Sequence, residues 1–313
     1  MAARFTALSQ GIYCVDALYI KPNVASMYLL QAADQVAIIE TGTYHSLANL
    51  QATLAELGIA DAQVKYVIPA HVHLDHAGGA GAMMQQFEQA SLVIHPRGAR
   101  HMIDPQVLVE ATSAVYGQQV FDRLYGRIEP VPEERIIVAR DLERLSLDSR
   151  ELLFIDTPGH AYHHFCIYDA TSSGVFTGDS FGICYDPMKR LTRCLLPTCP
   201  PTQFNPPAMH ASVKRIMEFA PQRLYLTHYG ELTQPAAQLS SFERWIEHYV
   251  DLCNDMKPAD ANAERRLQDA LMQTVLEELS VGDGDDEIKE ILQHDIRLNA
   301  QGLAHWWRQS VDV

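Results

Sequence analysis

The sequence predicts an α/β chain that ends in an all-helical extension. Three patterns carry this: short apolar runs bounded by turn residues, leucines three and four apart between those runs, and helical stripes alone from about residue 234. The first pattern gives strands, the second the helices between them, and the third divides the chain into a domain over 1–233 and an extension over 234–313.

Residues 11–18, 24–30 and 35–39 read as strands separated by Lys21-Pro22-Asn23 and Ala33-Asp34, a β-meander opening. Leu47, Leu50, Leu54 and Leu57 then mark one face of a helix over 46–57. A buried strand follows at 64–69 and another at 90–95, and residues 97–127 read as mostly helical. Further strands are expected at 152–156, 174–177 and 223–226. The run from Leu196-Pro197 to Asn205-Pro206-Pro207 is too rich in proline for regular structure and reads as an ordered crossing loop. Residues 208–219 form a helix that leads into the last strand. In the extension, Phe242, Trp245, Ile246, Tyr249, Val250 and Cys253 share a face; Leu267, Leu271, Val275 and Leu279 make a second stripe, and Ile288, Ile291 and Leu292 a third. The extension is expected to pack on the first domain; as functional readings these helices offer a dimer interface or a wall of the substrate cleft, and because the adjacent Trp306 and Trp307 cannot both face inward, one is free to meet a partner.

Composition sets bounds. With 313 residues and 47% hydrophobic content the chain can build its core without staples. Lys and Arg number 24 against 39 Asp and Glu, a formal charge of −15 that repels a phosphate backbone, so nucleic acid is not an expected partner. Six scattered cysteines, none in a CxxC pair, are expected to be reduced. No apolar h-region follows the N-terminus and no 18 apolar residues run together, so a cytoplasmic protein without membrane association is expected.

The chemistry concentrates in His71-Val72-His73-Leu74-Asp75-His76, directly after the strand at 64–69. Imidazole nitrogen with some carboxylate oxygen is what borderline transition metals favour, and ligands from adjacent residues keep the ordering cost small. His71 and His73 leave the strand on one side, while Asp75 and His76 open the next helix and face another way, so one stretch can serve two metals. The small residues of 77–81 let helix and backbone approach the site closely. His95, His101 and His163 carry no ligand spacing; the first two read as structural or exposed, and His163 as solvent-facing.

His-x-His-x-Asp-His resembles the signature of the metallo-β-lactamase superfamily. The resemblance extends to a histidine, an aspartate and a last histidine, each after a strand: Thr157-Pro158-Gly159-His160, Gly178-Asp179 and Thr227-His228-Tyr229-Gly230. It covers roughly residues 11 to 232 and implies an αββα sandwich with a dinuclear site at one edge. Carried over residue by residue, His71, His73 and His160 hold one divalent ion, Asp75, His76 and His228 the other, and Asp179 bridges them. Zinc is the expected metal, with iron or manganese as alternatives. The implied reaction is hydrolysis of an ester, thioester, lactone or phosphodiester of a small molecule by a hydroxide shared between the metals, with Asp75 orienting it or passing a proton to the leaving group. Tyr185, Lys189 and Tyr229 are the candidate substrate contacts, and Arg190 is an alternative to Lys189. Glu40 stands where the family usually has the aspartate of Asp-x-Gly, and His164 follows His160 by four; both are expected to hydrogen-bond around the metal site without ligating. A non-catalytic small-molecule sensor is the competing reading. A diiron redox protein of the flavodiiron kind fits less well, because those resemble His-x-Glu-x-Asp-His and His73 stands in the second position here. The missing export signal sets antibiotic cleavage aside, and the substrate stays unassigned.

Overall fold

A computed structural model describes residues 2–191, 194–254, 262–282 and 285–311. Its first four strands, β1 (Phe5–Ala7), β2 (Ile12–Asp16), β3 (Ser26–Ala32) and β4 (Gln35–Ile39), form the antiparallel meander expected of the opening. Helix α1 (Leu47–Leu57) then packs on β2, burying Leu50 and Leu54, and ends at Gly58 in the left-handed conformation that glycine adopts without steric cost. Its crossover makes β5 (Val64–Ile68) parallel to β4. The metal-motif helix α2 (Leu74–Ala77) and α3 (Ala80–Gln86) come next, followed by β6 (Ser91–Ile94), again parallel.

Residues 97–127 are helical as the sequence suggests, split into α4 (Ala99–Ile103), α5 (Gln106–Tyr116) and α6 (Gln118–Leu124). Pro105 and Gly117 separate them, and α5 has no fully buried residue. β7 (Ile136–Val138) completes a seven-stranded sheet in the order β1-β2-β3-β4-β5-β6-β7. The second sheet is built from β8 (Arg144–Leu147), β9 (Arg150–Asp156), β10 (Phe165–Asp169), β11 (Gly174–Ile183), β12 (Arg223–His228) and β13 (Gly230–Thr233), in the order β13-β12-β11-β10-β9-β8. The two sheets face each other through Tyr28 of β3, whose ring lies 5.2 Å from Phe176 and 5.7 Å from Tyr225, and through Ser26, whose hydroxyl donates to the Leu226 carbonyl at 2.9 Å. Aromatic burial of this kind contributes about 1.5–3 kcal/mol per side chain, so the sandwich core stands without help from the charged edge.

β11 departs from the sequence reading, which ends a strand at Thr177 and puts Ser180 onward on a loop. The strand runs to Ile183, because Ile183 and Leu196 exchange main-chain hydrogen bonds and extend the pairing past Asp179. Helix α7 (Pro206–Met217) also starts earlier than expected. Asn205 caps it by accepting from the Ala208 N–H at 3.0 Å, and Pro206 occupies the first helical position, where its missing N–H costs nothing.

Helices α8 (Ala236–Asn254), α9 (Ala263–Glu278) and α10 (Asp286–Val311) follow the three apolar stripes. The last is one continuous 26-residue helix that carries both tryptophans: Trp307 is buried, and the half-buried Trp306 meets Phe204 edge-on at 6.2 Å. α10 also grips the proline-rich loop. Asn299 accepts from the Cys199 N–H at 2.7 Å and donates to the Pro197 carbonyl at 3.0 Å. A side chain at Gly302 would run into the Cys199 carbonyl, so only glycine lets helix and loop touch there.

The chain resolves into two compact units. The first comprises Met1–Asp156, His163–Gly178 and Phe219–Thr233 and contains both sheets apart from the end of β11 after Gly178; the second comprises Thr157–Tyr162, Asp179–Glu218 and Gln234–Val313. Among the described residues no helix is long and apolar enough to cross a membrane.

Candidate metal centre

In the first unit β5 delivers the chain to its edge at Ile68, and the motif turns there. His73 takes an extended conformation at the N-cap of α2, which throws Asp75 and His76 onto the first helical turn. The turn sits against the segment after β4: Thr41 N–H donates to the His76 carbonyl at 2.8 Å, and Gly79 N–H to the Gly42 carbonyl at 3.0 Å. A Cβ at Gly79 would lie 2.6 Å from the Thr41 carbonyl, which is the close approach the small residues of 77–81 are expected to permit.

This turn meets the end of β12. Asp75 Oδ2 lies 3.6 Å from His76 Nε2 and 3.4 Å from His228 Nε2, and the two nitrogens are 3.4 Å apart. The far side of each ring is already committed. His76 Nδ1 faces Glu40 Oε1 at 3.1 Å, and His228 Nδ1 donates to the Val24 carbonyl at 2.8 Å. These partners place the ring protons on Nδ1 and leave both Nε2 lone pairs, with a carboxylate oxygen, pointing at one spot. Three acceptors converging without a proton to share repel one another unless a cation stands between them. A tetrahedron with ligands about 2.1 Å from its centre has edges of about 3.4 Å, so the residues fit a small divalent ion.

Glu40 does more than face His76. Its Oε1 also accepts from the Thr227 hydroxyl at 3.0 Å, and its Oε2 from the Ala70 N–H at 3.1 Å, so one carboxylate ties the ends of β4, β5 and β12 together. The residue holds this place at φ +63°, left-handed backbone that a side chain adopts only under constraint.

His71 and His73 form a second donor set in the same unit. His71 Nε2 and His73 Nδ1 are 2.8 Å apart, and the fully buried His71 ring lies 4.1 Å from that of His76 and 4.9 Å from that of His164. His164 is itself fully buried, packed between His71 and Gly178.

The second unit carries a matching pair. His160 Nε2 is 3.2 Å from Asp179 Oδ2, and the Thr198 hydroxyl and carbonyl hold His160 Nδ1 at 2.9 and 3.3 Å. Again the partner at Nδ1 leaves Nε2 to face a carboxylate. Thr198 is invisible to sequence reasoning, because a threonine in a proline-rich loop carries no motif; likewise nothing in the sequence marks the Val24 carbonyl or Thr227.

Other candidates are placed differently from expectation. His163 is 6% exposed, not solvent-facing. Its ring stacks on His71 at 6.1 Å and meets His73 and His101 edge-on, and burial, then the neighbouring imidazoles, push its pKa down to about 3. His163 stands in the turn before β10, where its ring is covered by those of His71, His73 and His101, while its neighbour Tyr162 stays exposed. His95, by contrast, is structural as expected: it is buried and pairs with Asp156 at 2.9 Å. Tyr185, a candidate substrate contact, is 1% exposed and donates its hydroxyl to Asp295 at 3.0 Å, an internal tie to α10. Lys189 pairs with Asp186 one turn back at 2.8 Å, and Arg190 with Asp285. Tyr229 directly follows His228 and is 9% exposed.

Comparison with known proteins agrees with this geometry. The family described as the metallo-beta-lactamase superfamily matches residues 20–228. The metallo-beta-lactamase fold-containing protein ST1585 of Sulfurisphaera tokodaii is 25% identical over 232 residues, covering 72% of this chain and 80% of the relative. The crystal structure of ST1585 superposes with a TM-score of 0.65, at 21% identity over 95% of this chain and 99% of that one. The metallo-beta-lactamase family protein TTHA1429 of Thermus thermophilus gives 0.66 at 21% identity, covering 98% of this chain and 95% of its own. A chemotaxis sensor, ODP, solved as a peroxy diiron species, shares the fold at a TM-score of 0.54 and 14% identity, covering 79% of this chain and 94% of that chain.

Proposed function

Because the chain belongs to the metallo-beta-lactamase superfamily, we propose that it is a metal-dependent hydrolase acting on an ester, thioester, lactone or phosphodiester bond of a small molecule. The observation that carries the reading is the convergence of Asp75 Oδ2, His76 Nε2 and His228 Nε2 on one point, with both rings held from behind.

The proposal places two divalent ions per chain, His71, His73 and His160 holding one and Asp75, His76 and His228 the other, with Asp179 between them. The assignment of His160 and Asp179 to these ions rests on the ligand pattern of the family. Bound there, such ions would lower the pKa of water to about 7 and polarise the bond to be cleaved. The chain's own residues do the rest. Glu40, the Val24 carbonyl and Thr198 hold three imidazoles in the tautomer that presents Nε2, and Asp75 orients the attacking water or hands a proton to the leaving group. We favour zinc, since imidazole and carboxylate suit it. The diiron state of the sensor ODP makes iron the rival, and metal analysis decides between them.

The test is metal content and turnover on one purified sample, against a panel of esters, thioesters, lactones and phosphodiesters. We expect close to two metals per chain and turnover that His73→Ala or Asp179→Ala abolishes while the fold survives. Undiminished hydrolysis by metal-free protein would refute the mechanism, and bound metal with no turnover on any panel member would favour a sensor. We also propose that α8–α10 mediate a homodimer; a chain truncated at 236 that stays dimeric would refute this.

A further inference from the structure

The second unit holds two thiols that the proposed metal chemistry does not use. Where β11 ends, Ile183 N–H donates to the Leu196 carbonyl at 2.9 Å and Leu196 N–H to the Ile183 carbonyl at 3.1 Å. A mutual exchange of this kind marks an antiparallel pair with Cα atoms about 5.5 Å apart. Cys184 stands one residue after Ile183, and Cys194 two before Leu196. Both therefore lie on the same side of the bridge, in the stretch of chain that connects its two ends. Their thiols are hydrogen-bonded to each other, and both side chains are buried. The register that pairs Ile183 with Leu196 sets Cys184 opposite Leu195, the neighbour of Cys194, so the two cysteines stand on a diagonal of about 5.5 Å between Cα atoms; this is inside the roughly 4.4–6.8 Å that a disulfide needs, and the contact between the thiols brings the sulfurs together.

We propose that Cys184 and Cys194 are a reversible dithiol–disulfide site, oxidised by a small peroxide and returned by a low-molecular-weight thiol. The Cys194 thiolate attacks one peroxide oxygen, the O–O bond breaks, and hydroxide leaves and takes up a proton as water. Cys194 is then a sulfenic acid. The Cys184 sulfur attacks it, the S–S bond forms, the S–O bond breaks, and a second water leaves. Two thiols lose two electrons and two protons in total, and the peroxide accepts them. Two molecules of the reducing thiol reverse the change by exchange and leave as their own disulfide.

The roles follow from the contact. Contact with the Cys184 thiol, with a main-chain hydrogen bond and the Lys189 ammonium, draws the Cys194 thiol below its ordinary range against burial. Cys184 is pushed far up by the same hydrogen bond and by burial, which makes it the resolving partner. Two of the other four thiols are engaged differently: Cys166 donates to the Thr177 carbonyl and Cys253 to that of Leu303. Asp179 lies five residues before Cys184, and Thr198, which holds His160, four after Cys194. The bridge would therefore close a loop between two groups of the proposed metal centre.

The test does not depend on the hydrolase reading. Purified protein is treated with excess hydrogen peroxide, alkylated, cut with trypsin and mapped by mass. Lys189, Arg190 and Arg193 put the two cysteines on separate peptides. We expect one cross-linked pair, Cys184 to Cys194, lighter by two hydrogens and lost on treatment with dithiothreitol. Cys14, Cys166, Cys199 and Cys253 should be alkylated only after denaturation. Cys184→Ser should leave a sulfenic acid on Cys194 that dimedone traps, and Cys194→Ser should give neither product. Unmodified thiols under peroxide excess, sulfinic acid without a cross-link, or a bridge between other cysteines in the wild-type chain would each overturn the proposal.

Discussion

His76 and Glu40 meet at 3.1 Å, imidazole Nδ1 to carboxylate Oε1, with both side chains cut off from solvent. The contact fixes which nitrogen of His76 keeps the proton and so which one is left for a metal. It also fixes the position of Glu40 itself, whose other contacts are the Thr227 hydroxyl and the Ala70 N–H.

Replacing Glu40 by Gln keeps the shape but exchanges a charged acceptor for a neutral one. We expect about 10- to 100-fold weaker metal affinity, measured by competition with a chromophoric chelator. Glu40→Ala should in addition lower stability by about 3 kcal/mol or more, because three buried donors lose their acceptor. Wild-type affinity in a folded Glu40→Gln protein would show that the carboxylate only braces the backbone.

His228 closes the trio that carries the functional reading. His228→Ala should reduce the metal content from close to two ions per chain to close to one, with the far-ultraviolet circular dichroism unchanged, since the ring sits at the end of β12 beside Asp75, His76 and the Val24 carbonyl. Retention of both ions would place the site elsewhere.

Tyr185 separates packing from recognition. Its hydroxyl bonds the Asp295 carboxylate at 3.0 Å from a buried position. Tyr185→Phe should cost about 1.5–3 kcal/mol in urea unfolding and leave KM on any panel substrate unchanged. A raised KM with unchanged stability would restore it as a substrate contact.

Alkali should destabilise the fold. Burial pushes Cys253 up to about 12 and raises Tyr28 and Tyr249 well above the ordinary tyrosine range. An unfolded chain releases these protons from about pH 8.5 to 10, while the folded chain keeps them. Above that range the unfolded state binds fewer protons, so stability falls as pH rises. The melting temperature should be flat between about pH 7 and 8 and then decline steadily toward pH 12, more shallowly in Cys253→Ala. A melting temperature that rises with alkali would contradict these burials.

Much of the fold was legible because its signals are local. The meander β2-β3-β4, helix α1 and the three stripes of α8 to α10 follow from apolar spacing and turn residues, which act within a few positions along the chain. The misses share a different cause. β11 runs past Asp179 because Leu196, thirteen residues downstream of Ile183, supplies its hydrogen bonds. α7 starts at Pro206 because Asn205 caps it, although the prolines around it read as loop. His163 is buried because the rings of His71, His73 and His101, all far upstream, pack around it, which its own neighbours in the chain do not disclose.

The same division holds for the site. By itself the sequence determined the candidate donors: His71, His73, Asp75, His76, His160, Asp179 and His228 stand out because only a few side chains bind borderline metals and their spacing is set along the chain. Only the tertiary structure decided how they are held. Glu40 reaches His76 across 36 residues and Thr227 across 187, and His228 reaches the Val24 carbonyl across 204. A hydrogen bond that short depends on where strands end in space, and no pattern in the order of residues records it.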